Sequence, residues 1–285
     1  MTGLIASTRA ELLRLRRWPA LWVLSGVWVT LNVTFGYVFD YIAYRTGDST
    51  PVADGAPPQA LLAGLLPSAA PVTSVQGMPL FGGALIMIMG ALAVGSGYGW
   101  GTWKTVLTQG PGRGAAFGGT LAALAAFVTG VVLVSAVVDL GVASGIAARE
   151  GQPIDLPGVE DWLFALGTGL LVLSMWAAGG VLVGVLTRSP ALGVGLGLVW
   201  ALVVESLLRG VGGILNAITP VTDHLPGTAA GSLVGALSDA QTGTAAGIPG
   251  VNDILDAPAA VGWLAGYLVG FVVLALMLVQ RRDVP

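Results

Sequence analysis

The side chains that do chemistry are scarce in this chain. Among 285 residues there is one histidine, His224, one lysine, Lys104, and no cysteine. A single imidazole gives neither a histidine pair for a metal nor an evident Ser–His pair. No GxxxxGK[ST] loop is present to cradle a nucleotide, so this polypeptide has no means of its own to hydrolyse ATP. The cytoplasmic connections assigned below carry no adjacent or DxxD-type carboxylates, which removes metal-dependent lipid transfer. No catalytic residue and no bound metal or cofactor are expected. What remains is acid in apolar surroundings: Asp40, Asp139 and Glu205 lie in or near long hydrophobic runs, and such acids are functional suspects by default. Depth argues for a plainer role. Asp139 stands 23 residues beyond Ala116 (139 − 116), about 35 Å along a helix, which puts it at the outer rim. Glu205 precedes Arg209 by four residues, a favourable helical ion-pair order, and Asp40 is close to Arg45 in the same way. Outer-rim ion pairing among Asp40, Arg45, Asp139, Glu205 and Arg209 is the expectation.

Those residues must be positioned by apolar helices. Charged residues make up 9% of the chain and hydrophobic ones 55%, where a soluble domain carries about a quarter charged residues. A helix needs roughly 20 apolar residues to cross a hydrocarbon core. Spans are read at Pro19 to Phe39, Met78 to Gly97, Ala116 to Ala143, Trp162 to Leu186, Ala191 to Leu208 and Ala259 to Val279. The runs are too long for barrel strands and lack period-two alternation, so the fold class is an all-α membrane protein of six spans in one transmembrane domain, 1–285. The first run is too long for a signal peptide and has no small-residue cleavage site. With the N-terminus cytoplasmic, the inner segments hold Arg9, Arg14, Arg16, Arg17, Lys104, Arg113, Arg188, Arg281 and Arg282, and the outer ones only Arg45, Arg149 and Arg209. That 9-to-3 bias places both termini inside. Trp18, Trp22, Trp100 and Trp103 agree at the inner interface, and Trp162 and Trp263 at the outer one.

Residues 1–18 read as an amphipathic interfacial helix with Ile5, Thr8, Leu12 and Leu15 on one face and Arg9, Arg14, Arg16 and Arg17 free for lipid phosphates or a cytosolic partner. Two long outer connections, Asp40 to Gly77 and Arg209 to Pro258, are too apolar for free loops and are expected to fold as short helices. Thr187 to Pro190 reads as a tight inner turn. Glycines recur four apart at Gly141/Gly145, Gly180/Gly184, Gly193/Gly197 and Gly266/Gly270, and Gly118, Ala122, Ala126 and Gly130 form a ladder of small residues. Such stripes let helices approach closely, either inside the bundle or at a dimer seam. Asn32, Thr34, Phe35, Met87, Met89 and Trp200 are the candidate lining of a substrate pathway, and each also suits plain bundle packing.

The most distinctive stretch joins spans two and three: Tyr98-Gly-Trp-Gly-Thr-Trp-Lys-Thr-Val-Leu-Thr-Gln-Gly-Pro-Gly-Arg-Gly. A short helix from Thr102 to Gln109 fits it, stopped by Pro111-Gly112. With Gly101, Thr102, Lys104, Leu107, Pro111 and Arg113 matching a Gly-Thr-x-(Lys/Arg)-x-x-Leu…Pro-x-Arg pattern, and with six spans behind an N-terminal helix, the whole chain resembles the type-2 ABC transporter permeases, membrane subunits of bacterial drug and antibiotic exporters. Gly97 stands near where many of those permeases have a glutamate, and Gly118 and Gly119 where they often have a basic residue.

The resemblance implies that Thr102, Trp103, Lys104, Leu107 and Arg113 contact a separate ATPase through a coupling helix. It implies a dimer of ATPase subunits that carry ATP and Mg, a second permease copy (identical or homologous), and location in the bacterial inner membrane. It implies no nucleic-acid partner. The spans offer few polar groups to replace a hydrophilic cargo's hydration, so a lipophilic small molecule, peptide or lipid is the expected cargo. A scaffold that recruits an ATPase without passing cargo, and an ion-coupled secondary transporter, are the alternatives.

Overall fold

The computed structural model describes residues 2–47, 57–108, 110, 112–215, 217–242 and 248–282. Every regular element among the described residues is helical. Six helices among the described residues are long and apolar enough to cross a membrane: Pro19–Thr46, Pro67–Gly99, Arg113–Arg149, Val159–Thr187, Pro190–Gly212 and Ala257–Arg281, here spans one to six. This is the architecture of a multi-pass membrane protein. Shorter helices run Thr2–Arg16, Pro58–Gly64, Thr102–Thr108, Thr219–Thr222 and Pro226–Thr242.

The spans outrun their predicted limits. Span two begins at Pro67, eleven residues before Met78 (78 − 67), because Pro67 and Pro71 suit first helical turns and Ala70 to Val75 are buried. Span one continues through Asp40 to Thr46 and stops at Gly47, left-handed at φ 75°. The tight turn after span four is confirmed: Arg188 is left-handed at φ 52°, and Ser189 caps span five through Leu192 N at 3.4 Å.

Spans two and four form the centre of the bundle. A methyl group placed on Gly90 would strike the carbonyl oxygen of Ala177, and one on Gly180 that of Met87. On Gly184 it would come to 2.8 Å from Ala91 O. Small residues therefore bring the two backbones together, which in lipid must be done by packing rather than by the hydrophobic effect. The four-residue glycine pairs divide accordingly. Gly180/Gly184 and Gly193/Gly197 meet neighbours inside the bundle, whereas Gly141/Gly145 and Gly266/Gly270 have nothing within 4 Å.

Three spans contain π-helical turns, at Thr34–Val38, Met78–Gly82 and Val199–Val204. In span two Pro79 lacks an N–H, and Phe81 N and Gly82 N both return to Gly77 O at 3.0 Å. Such insertions are frequent at functional sites. Two of the three are tied together by Phe35 and Phe81, stacked with centroids 5.3 Å apart.

The N-terminal helix and the last turn of span six lie on one face, called terminal here, and the other face is called distal. The N-terminal helix rests on the start of span three. Gly119 is covered by Ser7 and the Thr8 backbone, and Gly118 by Leu4. A side chain at 119 would run into the backbone of this helix, whereas one at 118 would meet only the tip of Leu4. Of the residues at helical spacing, Leu15 is buried against the bundle and Thr8 half-buried, while Ile5 and Leu12 are exposed. Arg14 also turns inward. It pairs with Glu11 at 2.7 Å and donates to Ala93 O at 2.8 Å, so it is not free for an external anion.

Candidate functional site

On the terminal face the helix Thr102–Thr108 hangs from span two by Gly101, whose φ of +68° suits glycine. Trp103 fixes it. Its indole is 8% exposed, donates to Val94 O at 3.3 Å, and sits against Tyr98 and Phe117 with centroids 6.0 and 6.4 Å away. A side chain at position 97 would collide with that indole, so Gly97 is the seat of Trp103. Trp103 is thus an anchor rather than a presented contact, and Leu107 packs half-buried on the core beside it. The exposed residues of this helix are Thr102, Lys104, Thr105 and Thr108. Thr102 Oγ1 donates to Gly97 O at 3.3 Å. Arg113 donates to Gln280 O and Arg282 O at 3.2 and 2.9 Å, so its charge sits on the last carbonyls of span six. Pro111 lies outside the described residues.

The acids are not the ion pairs expected of an outer rim. Asp139 is fully buried, and both its carboxylate oxygens accept from Asn32 Nδ2, at 2.8 and 2.9 Å. Tyr37 donates to Asp139 O at 3.2 Å, and a turn away Trp28 Nε1 donates to Ser135 Oγ at 2.8 Å. Together they form a polar seam between spans one and three. Counting from Ala116 overstated the depth, because the first turns of span three lie beside the N-terminal helix. Along span one Asn32 stands 13 residues from Pro19 (32 − 19) and 14 from Thr46 (46 − 32), so the seam lies at the middle of that span.

Glu205, 1% exposed, accepts from Trp200 Nε1 at 3.0 Å and from Gly227 N at 2.8 Å. Arg209 reaches only the backbone oxygen of Glu205, at 3.4 Å. Buried donors have taken the carboxylate from its helical neighbour. Asp40 and Arg45 are five apart, about 140° around an α-helix, and do not pair. Arg45 instead meets Glu150 at 3.3 Å, on the side of Tyr41 and Tyr44. No family model matches the chain, and no characterised protein does.

Of the remaining pathway candidates, Met87 and Met89 are buried at 4% and 0%, Met87 beside Gly197 of span five. Thr34 opens the π turn of span one, and Phe35 is committed to Phe39 and Phe81. Asn32 is occupied by Asp139. Asn32, Met87 and Met89 are thus buried in the bundle, Thr34 and Phe35 are half-buried, and Trp200 is partly exposed.

Glu150 was invisible to sequence reasoning, since its partners lie more than a hundred residues away. Tyr41 donates to it at 2.7 Å and Tyr44 at 3.3 Å, and with Arg45 they clamp the distal end of span one to that of span three. The Tyr41 hydrogen bond first, then the Arg45 charge, holds the Glu150 carboxyl below its ordinary value. A depressed carboxyl pKa stabilises the fold above the unfolded value of about 4.3 and loses that contribution as pH falls through the folded value. Thermal unfolding of wild type and Glu150→Gln should therefore differ at pH 7 and converge only once the pH has fallen through the depressed folded value, below the unfolded value of about 4.3. A gap that persists unchanged at acid pH would show that the clamp does not work through ionisation.

Proposed function

We propose that this chain is the transmembrane subunit of an ATP-driven exporter of the type-2 ABC kind, moving a lipophilic small molecule, peptide or lipid. The observation that carries the reading is the helix Thr102–Thr108. It is pinned to spans two and three by one buried tryptophan and carries exposed Lys104, Thr105 and Thr108. A helix so anchored moves as one piece with the spans that hold it, which is what a push from a separate ATPase requires. In this reading the terminal face is cytoplasmic, the N-terminal helix lies in the inner interface with Arg9, Arg16 and Arg17 outward, and two permease copies sit above two ATPase subunits. The π turns fall in spans one, two and five, which are the spans expected to shift. Nucleotide can drive that shift only through unequal affinity for the two states.

The test is recovery of a nucleotide-binding subunit with the tagged chain from native membranes. Lys104→Glu, which reverses an exposed charge without touching the Trp103 anchor, should lower that recovery by about tenfold. Intact recovery with the variant, or no ATPase subunit with wild type, removes the reading.

A second reading, ion-coupled transport, is favoured by Asp139 and Glu205, both buried carboxyl groups that make no salt bridge among the described residues. It requires that Asp139→Asn abolish uptake or efflux in vesicles energised without ATP.

A further inference from the structure

The helix Pro226–Thr242 is buried along most of its length between spans two, four and six, in the distal half of the bundle. Its 17 residues reach about 25 Å, short of a full crossing. A helix buried this way needs partners for its first N–H groups, and Leu225 before it has no side-chain acceptor. The acceptor comes from span five, 22 residues earlier: Glu205 Oε2 takes Gly227 N–H at 2.8 Å. The fit is close enough that a methyl group on Gly227 would collide with that carboxylate. The acceptor oxygen also lies at the positive end of the helix dipole.

The other oxygen of Glu205 is held by Trp200 Nε1, five residues back. Residues five apart are about 140° from each other on an α-helix, and they approach one another here because Val199–Val204 is π-helical. Loss of the extra residue of that π turn would rotate the rest of span five by about 100°, carrying the carboxylate away from Gly227. The side of the helix is secured separately. Ser232 Oγ donates to Asn252 Oδ1 at 2.5 Å, and Asn252 Nδ2 donates to Thr228 O at 3.3 Å.

We propose that Glu205 is a positioning residue that latches the helix Pro226–Thr242 into the bundle, and that the π register of span five, read through Trp200, sets the latch. Regularising span five releases the helix, which then acts as the distal gate. Only the word gate rests on the transport reading; the latch itself does not.

The absence of cysteine makes the test direct. Val234, fully buried in the latched helix, and Val94, fully buried in span two, are replaced by cysteine in separate chains, and maleimide labelling is timed on the purified protein. Glu205→Ala should speed labelling at 234 by about tenfold, and Trp200→Phe, which keeps the ring but loses the N–H, by about threefold, with position 94 changed less than twofold. Glu205→Gln retains an acceptor for Gly227 and should recover part of the protection, and it decides the matter with Trp200→Phe if Glu205→Ala does not fold. Unchanged labelling at 234, or an equal rise at 94, overturns the latch. No cargo or ATPase enters the assay, so this failure is distinct from a failed co-purification.

Discussion

Asn32→Leu is expected to lower the unfolding free energy by about 3 kcal/mol, because it leaves the Asp139 carboxylate buried with neither side-chain hydrogen bond. Asp139→Asn should cost less, since an amide keeps polar partners and carries no charge to desolvate. Asn32→Leu with Asp139→Leu together should recover much of the loss, as replacing both members of a buried polar pair generally does. Unfolding in a mild detergent, followed by tryptophan fluorescence, measures all three. The ordering is the diagnostic part. If Asn32→Leu were the mildest of the set, Asp139 would be uncharged in the folded protein or solvated by a route that the packing does not reveal.

The second large effect concerns spans two and four. Gly180→Val should prevent recovery of a folded, monodisperse protein, since the carbonyl of Met87 occupies the space its side chain needs. Overpacking typically costs about 1–3 kcal/mol, and here the obstacle is backbone on a neighbouring span and not a movable side-chain tip. Gly266→Val makes the same chemical change on span six, where nothing lies within 4 Å, and should alter stability by less than about 0.5 kcal/mol. Size-exclusion profiles and melting temperatures of the two variants give the comparison. Equal outcomes would mean that the glycine spacing matters to the helix itself and not to what packs against it.

The six spans were legible because hydrophobic runs of this length allow one solution, a helix that satisfies its own backbone. Their ends were less so. Span two was placed to start at Met78, since Pro67 and Pro71 read as loop residues until they are seen to sit in first helical turns. The buried helix Pro226–Thr242 was anticipated only as something short and apolar in a long connection. Side-chain partnerships failed most. Helical spacing suggested Glu205 with Arg209, yet the carboxylate serves a backbone N–H 22 residues on. Depth counting sent Asp139 to the rim, and nothing in one sequence links it to Asn32, 107 residues away. The sequence reads Trp103 as a presented contact of the loop between spans two and three, whereas burial makes it the anchor of Lys104 and Thr105. Chain pattern reports what must avoid water; it does not report which buried donor finds which acceptor.

Span three runs unbroken for 37 residues, from Arg113 to Arg149, about 55 Å of helix. A hydrocarbon core is about 30 Å thick, and leaning alone would have to reach about 57° to hide the excess, beyond the 0–40° that membrane helices adopt. Even at the greatest of those tilts about 16 Å of this rod must stand as a stem outside the oily layer. The N-terminal helix braces the stem at one end and the Glu150 clamp steadies it at the other. Force applied to either projecting end would reach the far side along a single stiff strut.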